Sequence, residues 1–143
     1  NAVKDTTQLN IRETEFNGSC LCGGVRFNGH DLRDVVYCHC RQCRSSHGSI
    51  AAYTATDRGQ LKLTEKATLR WYKSSTSVRR GFCSNCGSNL FWEHLDKLTI
   101  CVAAGAIDGP VGLRATHHIY IADKTPYDEF TDDLPQHKGS LYA

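Results

Sequence analysis

The chain has no methionine and only 3 prolines. None of its apolar runs approaches the ~20 residues needed to cross a bilayer as a helix. The missing methionine means that the sequence does not open on a natural start, and Asn1-Ala2 are read as a possible cloning scar. No run in the sequence is thus long enough to be read as a membrane-spanning helix, and Asn1 to Arg12 are polar, without the apolar core of a secretory signal. An excess of one charge is missing too. Lys and Arg number 17 against 15 Asp and Glu, and a net charge of +2 is too small to suggest nucleic acid or an anionic membrane as partner. A soluble cytoplasmic protein is the default expectation. No long amphipathic helix and no internal repeat is visible, and 143 residues suffice for one domain with a single modest core.

What the sequence has in quantity is cysteine, 8 in all. An even number allows a disulfide framework, but disulfide-dense chains are usually small secreted modules. Here the thiols also fall at metal-ligand spacings: Cys20-x-Cys22, Cys38-x-Cys40-x2-Cys43 and Cys83-x2-Cys86. A disulfide inside C-x-C would be strained, because the two side chains diverge in an extended chain. Metal binding is therefore expected, and zinc is the commonest ion for such sulfurs. Cys101 stands apart, in the apolar run Thr99-Ile100-Cys101-Val102-Ala103, and is read as a small buried hydrophobe.

The thiols sit between short strand signals. Residues 1–15 read as a polar lead-in, with room for a short edge strand. The paired Gly23-Gly24 permit a tight metal-holding turn before Val25-Arg26-Phe27. Val35-Val36-Tyr37 reads as a strand feeding the central cysteines, Arg44 to Ser49 as a helical turn or loop, and Ile50 to Ala55 as strand again. Strands are also expected at Leu61-Lys62-Leu63, Thr68 to Lys73, Leu98 to Ala103 and His118 to Ala122, with a turn at Gly105 to Pro110. Strand, C-x2-C-G, strand around Cys83 and Cys86 outlines a zinc knuckle at a hairpin tip, with Gly87 letting backbone N–H groups turn toward sulfur. From Asp123 onward an irregular tail is expected. The whole reads as a mostly β domain of short twisted strands, pinned by metal where its core is thin.

A knuckle supplies two corners of a tetrahedron, and Cys20 and Cys22 are the natural complement to Cys83 and Cys86. That leaves Cys38, Cys40 and Cys43 as a second set of three. The opposite pairing strands one thiol of the central cluster, so spacing favours four plus three. The fourth corner of the second site is open to another cysteine, to His39, or to a diffusing ligand. His39 is disfavoured as a ligand, because neighbours of ligands in an extended stretch point away. Arg41 and Arg44 flank the cluster and could balance its charge or hold a substrate carboxylate; a plain solvated arginine is at least as good a reading of Arg41. His47 reads as a loop histidine, and no role is assigned to His117-His118.

The order Gly18-Ser19-Cys20-x-Cys22-Gly23-Gly24-Val25, then Cys38-His39-Cys40-x2-Cys43-Arg44, then Phe82-Cys83-x2-Cys86-Gly87 resembles the glutathione-dependent formaldehyde-activating enzyme family, which shares the Mss4-like, tent-shaped β fold with the centromere-protein-V group. Gly48-Ser49, Gly105-Ala106-Ile107-Asp108 and the segment Ile119-Tyr120-Ile121 to Lys124-Thr125-Pro126 extend the match, over about residues 16–137, leaving 138–143 as a C-terminal tail. The resemblance implies a mainly β, Mss4-like single domain of short antiparallel strands with little helix. It implies a structural zinc on Cys20, Cys22, Cys83 and Cys86 and a catalytic zinc on Cys38, Cys40 and Cys43. The implied activity is the addition of glutathione to formaldehyde, formally a carbon–sulfur lyase reaction. From their place beside the central thiols, Arg44 and His39 are the expected substrate contacts.

Three readings of function follow. The first is an enzyme that activates a thiol such as glutathione at an open zinc and adds it to a small aldehyde; the same corner could instead hold an activated water. The second is a thiol carrier without turnover. The third is a structural zinc module for protein or nucleic acid. Arg79-Arg80 near Trp71 and Tyr72 are its only basic-aromatic hint, and the balanced charge makes a nucleic-acid partner unlikely.

Overall fold

Alternation of small, β-branched and aromatic residues becomes ten strands in the computed structural model, which describes residues 11–140. Strands β1 (Ile11–Ser19), β2 (Arg26–Arg33) and β5 (Leu61–Glu65) form a three-stranded antiparallel sheet in the order β1-β2-β5. The second sheet has seven strands. In chain order its members are β3 (Val35–Cys38), β4 (Ala51–Asp57), β6 (Leu69–Lys73), β7 (Val78–Cys83), β8 (Asn89–His94), β9 (Thr99–Ala103) and β10 (Ala115–Ile119), and in space they run β10-β3-β4-β9-β8-β7-β6. One helix, α1 (Arg41–His47), interrupts the strands. The mainly β fold with little helix is thus the one expected. One pair departs from the antiparallel pattern: β10 lies parallel to β3, with Ala115 beside Val35 and Ile119 beside Cys38. The long chain between these two strands permits that crossover.

The main core lies where the two sheets face each other. Phe16, Val25, Phe27 and Leu32 come from the small sheet and its hairpin, and Leu69, Leu90, Phe91, Ile100 and Val102 from the large one. Phe27 meets Phe91 edge-on at 5.3 Å between ring centroids, and Trp71 stacks on Phe91 at 5.9 Å. Burying one such aromatic stabilises the fold by roughly 1.5–3 kcal/mol. A second, much smaller apolar cluster contains Cys38, Cys43 and Ala51, with Cys40, Tyr53 and Ile119 packed against it. Each cluster holds thiols, so the metal-ligand candidates sit where core and hairpin tips meet.

Two boundaries differ from the reading of the sequence. β1 begins at Ile11, within the stretch read as lead-in, because Ile11 and Arg12 pair with Arg33 and Leu32. The bidentate Arg12–Asp34 ion pair, at 3.0 and 2.9 Å, ties that end down. The last strand is Ala115–Ile119 rather than His118 to Ala122. Tyr120 takes a left-handed φ of 55°, and Ile121–Asp123 turn as a 3-10 helix, which ends the strand despite its alternating sequence. The irregular tail lies along β10, with His118 N–H donating to Pro135 O and His137 N–H to His118 O, and so covers an edge that would otherwise be unpaired. Asn1-Ala2 and the end of the tail lie outside the described residues.

Candidate metal centres

The first centre joins two hairpin tips built alike. Cys20 follows β1 and Cys22 lies in the turn to β2; Cys83 ends β7 and Cys86 lies in the turn to β8. In each turn the first cysteine's N–H is bonded across the hairpin, Cys20 to Val25 O and Cys83 to Ser88 O. In each, a glycine at φ 79°, Gly23 or Gly87, donates its N–H back to the first cysteine's carbonyl. Only a residue without Cβ adopts that φ freely. Backbone N–H groups then point at sulfur: Val25 to Cys20 Sγ at 3.2 Å and Cys86 to Cys83 Sγ at 3.4 Å.

The four sulfurs converge from positions far apart in sequence. Cys20 and Cys22 Sγ lie 3.7 Å apart, and Cys22 and Cys83 Sγ 3.6 Å. Two corners of a tetrahedral four-sulfur zinc site are separated by about 3.8 Å, given metal–sulfur bonds of about 2.3 Å, so these residues fit such an ion. Polar neighbours favour thiolates here. The Ser88 hydroxyl, 3.2 Å from Cys86 Sγ, and the Ser88 backbone pull the Cys86 thiol down to about 5. The Thr68 hydroxyl and the Cys86 N–H lower Cys83. The Asn85 amide donates to Cys22 Sγ at 3.3 Å.

The second centre is made by the step from β3 into α1. Cys38 ends the strand, Cys40 is the N-cap of the helix, and Cys43 lies in its first turn. A thiol takes the capping role usual for Ser or Asp, as Cys43 N–H donates to Cys40 Sγ at 3.3 Å. Arg44 N–H bonds Cys40 O, and Gly48 N–H closes the helix on Arg44 O. The three sulfurs lie within 4.8 Å of one another, and among the described residues no fourth Cys, His, Asp or Glu ligand atom joins them. Cys38 and Cys43 are buried, whereas Cys40 is half-exposed. Hydrogen bonds from Cys38 and Cys43 pull the Cys40 thiol down to about 2, with help from the Cys43 N–H and the charge of Arg80. Hydrogen bonding to Cys40 and Cys43, followed by burial, pushes Cys38 up.

Of the flanking residues, Arg41 is placed as the sequence suggested, and His39 points away from the sulfurs as expected of a neighbour of ligands but is too buried to be the expected substrate contact. His39, expected as a substrate contact, is fully buried with its ring turned into the core. Its Nε2 is 2.9 Å from His118 Nδ1, and His118 Nε2 in turn is 3.0 Å from Asp132. Phe130 packs against both imidazoles, at 5.2 and 4.1 Å between centroids. Strand geometry explains this. Cys38 and Cys40 point to one side, and the residue between them points to the other. Arg44 is half-buried, and its Nε has no hydrogen-bond partner. Arg41 is exposed. Cys101 belongs to neither thiol set and sits in β9 opposite Ala55 and Trp92.

Arg80 is the site residue that sequence reasoning missed. It is 7% exposed, and its guanidinium donates to Cys43 Sγ at 3.8 and 3.7 Å and to Ser46 Oγ at 3.2 Å. Burial works against its charge, but the Cys43 sulfur and, more weakly, Tyr53 and Cys40 outweigh it and hold the guanidinium above its ordinary value. The signal was available. Two adjacent arginines in a strand face opposite sides, so one of the pair had to turn inward. Arg79 takes the other side, over the Trp71 ring at 3.8 Å and bonded to Glu93 at 2.7 Å. Both arginines of the basic-aromatic pair thus have partners within the molecule, whereas Tyr72 beside them is exposed. Next to the centre, His47 Nε2 lies 2.6 Å from Tyr53 OH. His47 also lines a cleft of about 470 Å³ together with Ser19, Cys20, Ser88 and Asn89.

A mainly β domain whose hairpin tips gather one set of four thiols and whose strand–helix step gathers a set of three presents two candidate metal sites of different size. The model of the glutathione-dependent formaldehyde-activating enzyme family matches residues 15–123, and the chain belongs to that family. It is 29% identical over 121 residues to an uncharacterized lyase of Schizosaccharomyces pombe, an alignment covering 82% of this chain and 87% of the yeast protein. Among solved structures, a Rhodobacter sphaeroides protein has the same fold, with a TM-score of 0.59 at 20% identity over 84% of this chain and 98% of the other.

Proposed function

We propose that the protein is a zinc-dependent carbon–sulfur lyase-type enzyme that joins a thiol, such as glutathione, to a small aldehyde, such as formaldehyde, and releases it in reverse. Cys20, Cys22, Cys83 and Cys86 hold a structural zinc, and Cys38, Cys40 and Cys43 hold the catalytic one. The observation that carries this reading is the contrast between four converging sulfurs in one centre and three in the other. Zinc bound by three thiolates lowers the pKa of a thiol at its open corner, so that a thiolate is present at neutral pH.

The chain's own residues do the rest. The α1 N-terminus fixes Cys40 and Cys43 relative to each other through the capping bond. The buried His39–His118–Asp132 chain anchors the peptide between Cys38 and Cys40, as does the His39 N–H bonded to Ile119 O. Half-buried Arg44 is the candidate cation for a substrate carboxylate. In the forward direction the substrate thiol gives up its proton, its sulfur forms a bond to the aldehyde carbon as the carbonyl π bond opens, and the oxygen takes up a proton from solvent, so that no proton is gained or lost overall. Relaxed to a carrier, the same site would bind the thiol without this step.

The test is optical. Cobalt in both centres of the full chain gives thiolate charge-transfer bands whose intensity follows sulfur number. Glutathione should add thiolate intensity in the wild type and none in Cys40→Ser. An unchanged wild-type spectrum at saturating glutathione would overturn the open-site reading. Binding without formation of the aldehyde adduct would reduce the protein to a carrier.

A further inference from the structure

A buried arginine needs a counter-charge, because an unpaired ion in the interior costs several kcal/mol. The other buried arginine, Arg33, has one: its Nη2 lies 2.9 Å from Asp57. Arg12 pairs with Asp34, and Arg58 and Arg79 share the buried carboxylate of Glu93. Arg80 has none. Among the described residues no carboxylate lies within ion-pair distance of it, and its Nε lacks any hydrogen-bond partner. Its neighbours are neutral oxygens, Ser46 Oγ and Gln42 Oε1 at 3.5 Å, and the sulfur of Cys43, which faces both terminal nitrogens. Of these neighbours only the Cys43 sulfur can carry a negative charge to balance Arg80.

We propose that Arg80 is a positioning residue whose charge lets the three-thiol centre accept a further anionic ligand. A divalent ion on three thiolates carries one net negative charge. Taking up a fourth thiolate would make it two at a site where two of the three sulfurs are buried, and Arg80 offsets one of them. The two N–H bonds to Cys43 also hold that sulfur in place and draw electron density from it, which lessens the negative charge an incoming anion meets. Lysine, a point charge on a flexible stem, would supply the charge without the two-pronged contact. This inference rests on the thiol-binding reading of the same centre.

The experiment compares an anionic with a neutral fourth ligand, using 2-mercaptoethanol and imidazole on the cobalt-loaded full chain. In Arg80→Met, thiol affinity should fall by about tenfold or more, while imidazole affinity changes less than about threefold. Cobalt affinity of the three-thiol centre should fall as well, and that of the four-cysteine centre should not. Arg80→Lys should recover most of the thiol preference. A purely structural clamp on α1 would weaken both ligands equally, and that result, or wild-type behaviour in Arg80→Met, would overturn the proposal. Ser46→Ala removes a clamp bond but no charge, and a thiol-specific loss there would also count against it. Should Arg80→Met not fold, Arg80→Lys decides, since equal losses for both ligands would again point to a clamp. A wild type that binds neither ligand overturns the proposed function, and Arg80 is then judged by cobalt affinity alone.

Discussion

His117 shows how little of a residue's role its neighbours in sequence reveal. Next to it, His118 is buried between His39 and Asp132 and belongs to the support of the three-thiol centre. His117 points the other way, bonded to Thr116 Oγ1 at 2.9 Å and with His137 at 5.3 Å between ring centroids. Burial, and then the positive charge His137 can carry, hold its pKa below the ordinary value. A histidine lowered in the folded state binds its proton more readily when unfolded. Its contribution to stability is thus complete above the unfolded pKa of about 6.5 and is lost as pH falls through that value toward the folded one. His47 is lowered as well, by burial and then by Arg80, and works in the same direction. The urea midpoint of the wild type should fall between pH 7 and pH 5, and His117→Gln should show a shallower fall. Identical slopes would mean that acid acts through other groups, the metal thiolates first.

At the scale of elements, the two hairpin tips are the same device used twice. Each spends one left-handed glycine to return an N–H to a cysteine carbonyl and to turn the next N–H groups onto sulfur. The glycines differ in what surrounds them. At Gly87 a Cβ would meet nothing within 4 Å, so Gly87→Ala carries only the backbone cost, about 1–2 kcal/mol. At Gly23 it would come within 2.5 Å of Arg26 Nη2, the far end of a flexible side chain that can move away. Gly87→Asn, which tolerates the left-handed region better, should retain more stability than Gly87→Ala in thermal unfolding of the metal-loaded protein. If alanine and asparagine were equal, the φ of this turn would not be what the knuckle requires.

At the scale of the whole molecule, the two centres differ in what they hold together. Cys20 and Cys22 come from the small sheet and Cys83 and Cys86 from the large one, and Cys22 and Cys83 are 61 positions apart in the chain. A metal there closes a long loop and fastens the two sheets beside their shared core. Cys38, Cys40 and Cys43 are joined by a few residues of local chain, so a metal on them fastens much less. Cys86→Ser should therefore lower the melting temperature by roughly 10 °C or more, or prevent folding. Cys40→Ser should remove one metal and thiol binding while far-UV circular dichroism stays near native. A more damaging Cys40→Ser would reverse the roles assigned to the two centres.

The sequence alone favoured a division of the thiols into four and three, because C-x-C and C-x2-C turns are local geometry written in adjacent residues; that Cys20 and Cys22 meet Cys83 and Cys86, some sixty positions on, was decided by the fold. The mainly β fold was legible for the same reason: short runs of β-forming residues such as Thr99 to Ala103 announce strands, though only the fold shows that Cys101, read there as a small buried hydrophobe, is half-buried. The left-handed Tyr120, which ends β10 three residues earlier than its alternation suggests, was not, since its backbone is held by the tail through Gly139 O. Nor was the burial of His39 against His118, which lies 79 positions away. Arg80 depends on tertiary structure most of all. A strand can present it inward, but only the packing of α1 against the large sheet brings Cys43 and Ser46 to its guanidinium and leaves it without a carboxylate. Charge compensation is a property of surroundings assembled from distant parts of the chain, so folding had to decide it.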